Sequence, residues 1–179
     1  MIEFAARGFT GARTARIAEY AQVNKQLLYY YFRSKRGLYR AVIEDTVQLF
    51  RTGTSVRLGT DSPVDRLRRR LQDAVQFLLS HPDRTHLLTV AVTASDEEGE
   101  MVRGALREFA RQLEGEVSSA QGMGFFRDDV DPQLAAVQAV TLIFGYFSIT
   151  PALLRQTSDC APESWAQGAG DLLSRAMSW

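Results

Sequence analysis

The spacing of apolar residues restricts the fold of this chain more than any other feature of its sequence. Apolar side chains recur three and four positions apart along most of the chain, and few stretches alternate apolar with polar residues. The clearest example is a stripe formed by Leu67, Leu71, Ala74, Val75 and Leu78. This spacing places apolar side chains on one face of a helix, so the sequence predicts an all-α protein.

Capping residues divide this pattern into helices. Ser62-Pro63 opens the helix that carries the stripe, and His81-Pro82 closes it. Ser95–Glu98 has the spacing of a capping box, and the helix that it starts is predicted to end at Gly122 and Gly124. A further helix begins at Asp131-Pro132, with an apolar face formed by Leu134, Val137, Val140, Thr141, Ile143, Phe144 and Phe147, and a last helix runs from about Pro162 to Met177.

Composition limits the classes of protein to which the chain can belong. No apolar run approaches the roughly 20 residues that cross a bilayer, and the single cysteine, Cys160, excludes an internal disulfide. We therefore expect a cytoplasmic protein with no membrane association. The formal net charge is zero, but residues 1–51 carry nine Lys and Arg against four Asp and Glu, a net of +5. This asymmetry favours a polyanion as the partner of the N-terminal part.

Residues 8–42 form the stretch that is most informative about function. Ile17 and Ala18 mark the apolar face of a first helix, and Asn24 is placed to cap a short helix from Lys25 to about Tyr31. In that short helix Leu28 and Phe32 are predicted to face the core. A break follows, and Ser34 caps a longer helix whose apolar positions are Leu38, Val42 and Val47.

Two short helices joined by a three-residue turn are typical of a helix-turn-helix, whose second helix enters the major groove of DNA. The short helix is predicted to expose Lys25, Gln26, Tyr29 and Tyr30. Lysine and tyrosine contact phosphates, and Gln26 can hydrogen-bond to a base edge, preferentially adenine. Whether Tyr31 faces DNA or the core is left open by the sequence.

The same stretch closely resembles the DNA-binding motif of the TetR family of transcriptional regulators. The match covers about residues 3–45 and rests on Ile17-Ala18, the turn at Gln22, Asn24-Lys25, Leu28-Tyr29, Tyr31-Phe32, Ser34-Lys35 and Leu38. The resemblance implies a three-helix DNA-binding domain at residues 1–48, with a truncated first helix. It also implies a larger helical domain at residues 49–179 that binds an effector and forms a homodimer.

Position by position, the resemblance implies roles for individual residues. The implied DNA contacts are Arg13, Thr14, Lys25, Gln26, Leu27, Tyr29, Tyr30 and Lys35. The implied effector-binding residues are Leu87, Leu88, Met101, Phe109, Phe144 and Phe147. The implied dimer interface lies on the last two helices, about 131–156 and 162–177, and includes Val137, Phe144, Trp165 and Leu172.

Four positions depart from the family pattern. Gln22 stands where glycine is usual, which predicts backbone strain in the turn. Ala12-Arg13 replaces the usual capping residue of the first motif helix, so Thr10 or Thr14 is expected to compensate. Leu27 stands where threonine is common and can pack on a thymine methyl group. Arg33 replaces a common proline, and together these departures predict an altered DNA specificity.

The function predicted from the resemblance is a repressor, released from a palindromic operator by a small apolar effector. An alternative is a ligand-binding or protein-interaction helical module that has lost DNA binding. The sequence contains no nucleophile motif or phosphate loop, and His81 and His86 lack the partners of a metal site, so we expect neither an enzyme nor a cofactor. Arg68–Arg70 is predicted to form a solvated helix face paired with Asp65 and Asp73.

Overall fold

The computed structural model describes residues 1–55 and 61–153, the last five by their main chain alone. Within these ranges the chain forms helices and no strands, as the apolar spacing predicts. The predicted last helix, with Trp165 and Leu172, and the loop at Cys160 lie outside the described residues. The helices are α1 (Ile2–Gly11), α2 (Thr14–Tyr20), α3 (Lys25–Phe32), α4 (Lys35–Gly53), α5 (Pro63–Ser80), α6 (Pro82–Ala91), α7 (Glu97–Gly122) and α8 (Pro132–Leu153).

The first three helices pack with the start of α4 around a small aromatic core. The rings of Phe4 and Phe9 lie 5.0 and 5.2 Å from the ring of Tyr39, which is buried on α4. Gly8 interrupts α1 with a φ of 64°, a conformation that glycine adopts without a steric penalty. This kink lets Phe4 and Phe9 approach Tyr39 from the two halves of α1.

Helix α4 connects this N-terminal unit to the remainder of the protein. It continues without a break past residue 48, and its Phe50 lies at the centre of an aromatic cluster. The rings of Phe77, Phe109 and Phe144 lie 5.4, 5.4 and 6.0 Å from the Phe50 ring. Since these rings come from α5, α7 and α8, the cluster joins four helices in one core.

Most of the predicted helix boundaries are confirmed. The Ser62 hydroxyl accepts a hydrogen bond from the Asp65 amide at the start of α5, with Pro63 in the first turn. Asp131 caps α8 in the same way, through the Leu134 amide. Helix α6 was not predicted as a separate element, because it lies directly after α5 with only His81 between them.

Three details of the sequence prediction are wrong. The cap of α7 is Asp96 rather than Ser95, and its carboxylate accepts the Gly99 amide at 2.9 Å. Phe144 faces the core of its own chain, so it does not form an exposed interface. Arg68 pairs with Asp65 and Arg69 with Asp61, but Arg70 is only 8% exposed and does not belong to a solvated face.

Ion pairs fix the N-terminal unit against the remainder of the chain. Arg36, in the first turn of α4, donates to the Glu98 carboxylate at 2.8 Å, and Glu98 is 1% exposed. Arg40 pairs with Glu97 at 2.9 Å, one turn further along α4. Burial raises the pKa of Tyr39, and the charges of Asp96 and Glu98 raise it further. The first turn of α7 therefore stabilises α4, the helix that directly follows α3.

Candidate nucleic-acid interface

The turn between α2 and α3 forms as predicted, with strain at one residue. The Asn24 side chain accepts a hydrogen bond from the Gln26 amide at 2.8 Å and so caps α3. Gln22 adopts a φ of 53°, in the left-handed region that favours glycine. The predicted strain at this position is confirmed, and it accompanies the reversal of the chain between the two motif helices.

The end of α3 is equally constrained. Arg33 has a φ of 63°, which proline cannot adopt, so the departure from the usual proline goes with a different local backbone. The Ser34 hydroxyl accepts the Gly37 amide at 2.9 Å and caps α4, as predicted. A Cβ on Gly37 would lie 2.1 Å from the carbonyl oxygen of Phe32, so only glycine allows this close approach of α4 to α3.

Helix α3 has one buried edge, and most of its side chains are exposed. Leu28 is buried and Phe32 packs partly buried against the core, which confirms their predicted orientation. Tyr31, whose orientation the sequence left open, is 68% exposed, and Tyr30 is 67% exposed. The remaining exposed side chains are those of Lys25, Gln26, Leu27 and Tyr29.

The beginning of α2 is joined to this exposed surface of α3. The hydroxyl groups of Thr14 and Tyr29 lie 3.2 Å apart and share a hydrogen bond. The Lys25 ammonium lies 5.8 Å from the centre of the Tyr29 ring, where it makes a cation–π contact. Thr14, Lys25 and Tyr29 therefore form one continuous polar surface, as expected for side chains that contact the same phosphate backbone.

Lys35 has the same predicted role but a different environment. Its ammonium group donates to the carbonyl oxygen of Thr10 at 2.9 Å and lies 5.1 Å from the Phe9 ring centre. It is thus held at the end of α1, with one of its three N–H donors engaged there.

Glu3 is a structural residue that the sequence analysis missed. Its carboxylate is 4% exposed and accepts the main-chain N–H of Arg13 at 3.2 Å. Arg7 and Arg16 lie 3.6 and 3.8 Å from the same carboxylate. Glu3 supplies the acceptor at the start of α2 that Thr10 or Thr14 was expected to provide, so that expectation is wrong. Its position beside Phe4 in an otherwise apolar segment was the available signal.

Positive charge on this surface is not neutralised by carboxylates. Within the described ranges, the side chains of Arg13, Lys25, Arg33 and Lys35 form no ion pair with Asp or Glu. Arg33 instead lies over the Tyr30 ring at 6.0 Å. Unpaired cations beside exposed tyrosines form a surface that can bind phosphates and bases.

The predicted effector-binding residues lie in the other part of the molecule. Leu87, Leu88, Phe109 and Phe144 are buried, and Met101 and Phe147 are partly buried at the edge of the same core. Phe109 and Phe144 meet at Phe50, whereas Leu87 and Leu88 belong to α6. Among the described residues, no group of His, Cys, Asp and Glu is arranged to hold a metal ion.

Comparison with known proteins links this geometry to one family. Residues 1–42 match the sequence profile described as "Bacterial regulatory proteins, tetR family". The chain is 29% identical over 154 residues to the HTH-type transcriptional repressor NicS of Pseudomonas putida. This alignment covers 81% of the chain and 70% of NicS. It is 31% identical over 147 residues to the nucleoid occlusion factor SlmA of Haemophilus influenzae, in an alignment that covers 79% of this chain and 66% of SlmA.

Solved structures show the same fold. The structure of AibR in complex with isovaleryl coenzyme A and operator DNA superposes with a TM-score of 0.73, at 18% sequence identity. The superposition covers 94% of this chain and 90% of AibR. The likeness therefore includes the helices that follow the helix-turn-helix as well as the motif itself.

Proposed function

The chain belongs to the tetR family of bacterial regulatory proteins, which are DNA-binding transcriptional regulators, and we propose that it is a repressor released from a palindromic operator by a small molecule. Residues 1–48 would bind DNA, and residues 49–179 would bind the effector and form the dimer. No helix in the described part of the chain is long and apolar enough to span a membrane. Such a regulator would act in the cytoplasm, where bacterial DNA is found.

The observation that carries the proposal is the exposed face of α3. A helix that served only to support the core would cover its aromatic residues, yet Tyr29, Tyr30 and Tyr31 are all exposed. Lys25, whose charge no described carboxylate neutralises, lies over the Tyr29 ring. A groove that carries phosphates on both walls and base edges at its floor complements this arrangement.

We assign the individual roles by position on this face. Lys25 and Tyr29 would contact phosphates together with Thr14, to which Tyr29 is hydrogen-bonded. Arg13 precedes the first turn of α2, whose amides also attract phosphate. Gln26, Leu27 and Tyr30 project from α3 and would approach base edges, and Lys35 would add a phosphate contact with the N–H donors that Thr10 does not occupy.

A homodimer is supported by an apolar surface on α8. Leu134, Val137 and Leu142 are exposed on this helix, although most of its other apolar residues are buried. Beside them lies an open groove of about 300 Å³, lined by Val92, Leu106, Val140 and five further residues. An exposed apolar helix face favours association, and two-fold symmetry would then place two copies of α3 on successive turns of DNA.

The effector would bind among the helices of the larger domain. Clefts between the helices of a bundle are common ligand sites, and the predicted residues Phe109 and Phe144 lie there beside Phe50. Any shift of α7 would reach the N-terminal unit through the contact between Glu98 and Arg36. An effector would then act by favouring the arrangement in which the two α3 helices no longer fit the operator.

The alternative is a helical module that binds a ligand or protein but no longer binds DNA. The strained turn at Gln22 and the engagement of Lys35 by Thr10 favour it. The two hypotheses differ in what happens when protein is mixed with fragmented DNA of the source genome. At about 0.15 M salt, where weak non-specific contacts are suppressed, the repressor should select fragments that share a palindrome.

The same selection can overturn the proposal. Unfolding and refolding removes bound small molecules from the protein. The refolded protein should select the same palindrome. If that preparation selects no shared sequence, the repressor hypothesis is wrong and the module without DNA binding takes its place. Adding candidate effectors to the bound fragments then tests release directly.

A further inference from the structure

Two arginines of α5 share one buried carboxylate of α7. The Nε of Arg66 donates to Glu116 Oε2 at 2.8 Å, and Nη2 of Arg70 lies 3.6 Å from Glu116 Oε1. Arg70 and Glu116 are each 8% exposed. The nearby Asp61 carboxylate pairs with Arg69 instead. Within the described ranges this cluster therefore carries one positive charge more than it has carboxylates to balance.

The hydrogen bonds of Arg70 occupy only one side of its guanidinium group. Nη1 donates to Gln112 Oε1 at 2.6 Å and to the carbonyl oxygen of Thr54 at 3.2 Å, which accounts for its contact with the end of α4. Nε is buried and has no hydrogen-bond partner among the described residues. At 3.6 Å, Nη2 is too far from Glu116 for a normal hydrogen bond. Among the described residues, the edge formed by Nε and Nη2 therefore makes no hydrogen bond, and its Nη2 end has only the longer ion pair with Glu116.

This edge has the geometry that binds anions. The parallel N–H groups of a guanidinium form two hydrogen bonds to the two oxygens of one carboxylate. Buried arginines are normally paired, and a buried donor without a partner calls for an explanation such as an ion or ligand. Gln112 and Thr54 hold the opposite side of Arg70, so the free edge is fixed in direction.

An apolar environment lies next to this charge. Thr54, which directly follows the last residue of α4, lies one turn after Phe50, and Gln112 follows Phe109 by about one turn on α7. The rings of Phe50 and Phe109 lie 5.4 Å apart, in the cluster described above. Arg66 is partly exposed, so the cluster reaches the protein surface on that side.

We propose that the Nε–Nη2 edge of Arg70 binds the carboxylate of the effector, and that the apolar body of the effector packs toward Phe50 and Phe109. This inference rests on the proposed function, and it names the chemical class of the ligand as a monocarboxylate with an apolar or aromatic body. The apolar effector predicted from the sequence would thereby carry one anionic group.

Calorimetric titration of the full chain with defined probes tests this proposal. Benzoate and octanoate are compared with benzyl alcohol and octanol, which share their apolar bodies but lack the charge. We expect at least one carboxylate to bind about tenfold more tightly than its alcohol, the difference that a paired charge typically makes. Titration up to about 10 mM detects even millimolar affinity. If neither carboxylate binds in that range, the proposal is wrong.

Substitutions assign the binding to Arg70. Arg70→Gln should weaken carboxylate binding about tenfold or more, whereas Arg68→Gln, the same change on the exposed face of α5, should leave it unaltered. Arg70→Lys keeps the charge but not the paired N–H geometry, so it should also bind more weakly. This variant decides the matter if Arg70→Gln does not fold. Wild-type affinity in either folded Arg70 variant would overturn the proposal.

Operator binding without ligand separates this inference from the proposed function. A protein that selects a palindrome but ignores both carboxylates is a repressor with a different class of effector, which overturns only the inference. A protein that binds carboxylates through Arg70 but selects no DNA sequence has the anion site without the repressor function. Binding of both, with release of DNA by the carboxylate, supports both proposals.

Discussion

The exposed surface around α3 and the larger helical part of the molecule differ in whether their positive charges are paired with carboxylates. Every arginine described between residues 61 and 153 lies beside a carboxylate, in the pairs that involve Arg66, Arg68, Arg69, Arg70, Arg84, Arg103, Arg107, Arg111 and Arg127. Around α3, by contrast, Lys25, Arg33 and Lys35 contact aromatic rings or a main-chain carbonyl. The larger helical part uses its charges within the fold, whereas Lys25, Arg33 and Lys35 around α3 have no carboxylate partner among the described residues.

This difference shows why net charge alone is a poor guide to nucleic-acid binding. The chain is neutral overall, because a net charge of +5 in residues 1–51 is offset by a net charge of −5 in the remainder. What matters is whether each cation is already paired with a carboxylate of the same chain. A cation paired within the fold gains little from a phosphate, because the existing pair must first be broken.

Phe50→Ala should cause the largest loss, because it removes the ring on which the larger part of the molecule is centred. The cavity left among Phe77, Phe109 and Phe144 should lower the free energy of unfolding by about 3–5 kcal/mol. Urea denaturation measures this change. Leu49→Ala, at the adjacent exposed position of α4, is the control and should change it by less than about 1 kcal/mol. Equal effects at the two positions would show that Phe50 is not in a packed core.

Glu98→Gln tests the contact between the two parts of the molecule. The substitution removes the charge that pairs with Arg36, and we expect a loss of about 1–2 kcal/mol in the free energy of unfolding, since Arg36 itself is half exposed. The exposed pair between Arg40 and Glu97 provides the control. Glu97→Gln should cost less than about 0.5 kcal/mol. A cost at Glu97 as large as that at Glu98 would mean that burial of the carboxylate does not matter.

Lys25→Gln should weaken DNA binding without altering stability. Loss of one phosphate contact should lower affinity for all sequences by about tenfold and make the salt dependence of binding shallower by about one unit. Fluorescence anisotropy at several salt concentrations measures both. Arg111→Gln removes a cation of similar exposure that pairs with Glu108, and it should leave both quantities unchanged. If Arg111 mattered as much as Lys25, the contrast between paired and unpaired cations would fail.

Gln22→Gly should have the smallest effect, and in the opposite direction. Glycine adopts the positive φ of this turn without strain, so we expect a gain of about 0.5–1 kcal/mol in stability. Thermal unfolding should show the rise. Gln26→Gly, at an exposed helical position of α3, should instead lose about 1 kcal/mol. A loss in both variants would indicate that the Gln22 side chain contributes more than its backbone conformation costs.

Local features of the fold could be predicted from the sequence because they depend on neighbouring residues. The caps at Asn24, Ser34 and Ser62 each involve a side chain and an amide two or three residues away. The exposed and buried edges of α3 follow from helical periodicity in the same way. The strained turn at Gln22 was also predictable, since one residue occupies a position that requires a left-handed backbone.

The inward position of Arg70 is also contained in the sequence. It lies three residues after Leu67 and four before Ala74, so the helical period places it on the apolar stripe of α5. The prediction that Arg68–Arg70 forms one solvated face does not take this period into account. The period alone indicates that Arg70 faces inward, but it does not indicate Glu116, Gln112 or Thr54 as its neighbours.

The sequence by itself determined that this chain is helical, where most helices begin and end, and which surface of α3 resembles a DNA-binding helix. Only the tertiary structure decided that Glu98 meets Arg36, 62 residues away, that Glu3 supports the start of α2, and that the buried Nε of Arg70 has no hydrogen-bond partner among the described residues. The physical reason is the range of the interactions. Helix periodicity and caps act within about four residues, whereas the burial and pairing of a charge depend on which helices pack together.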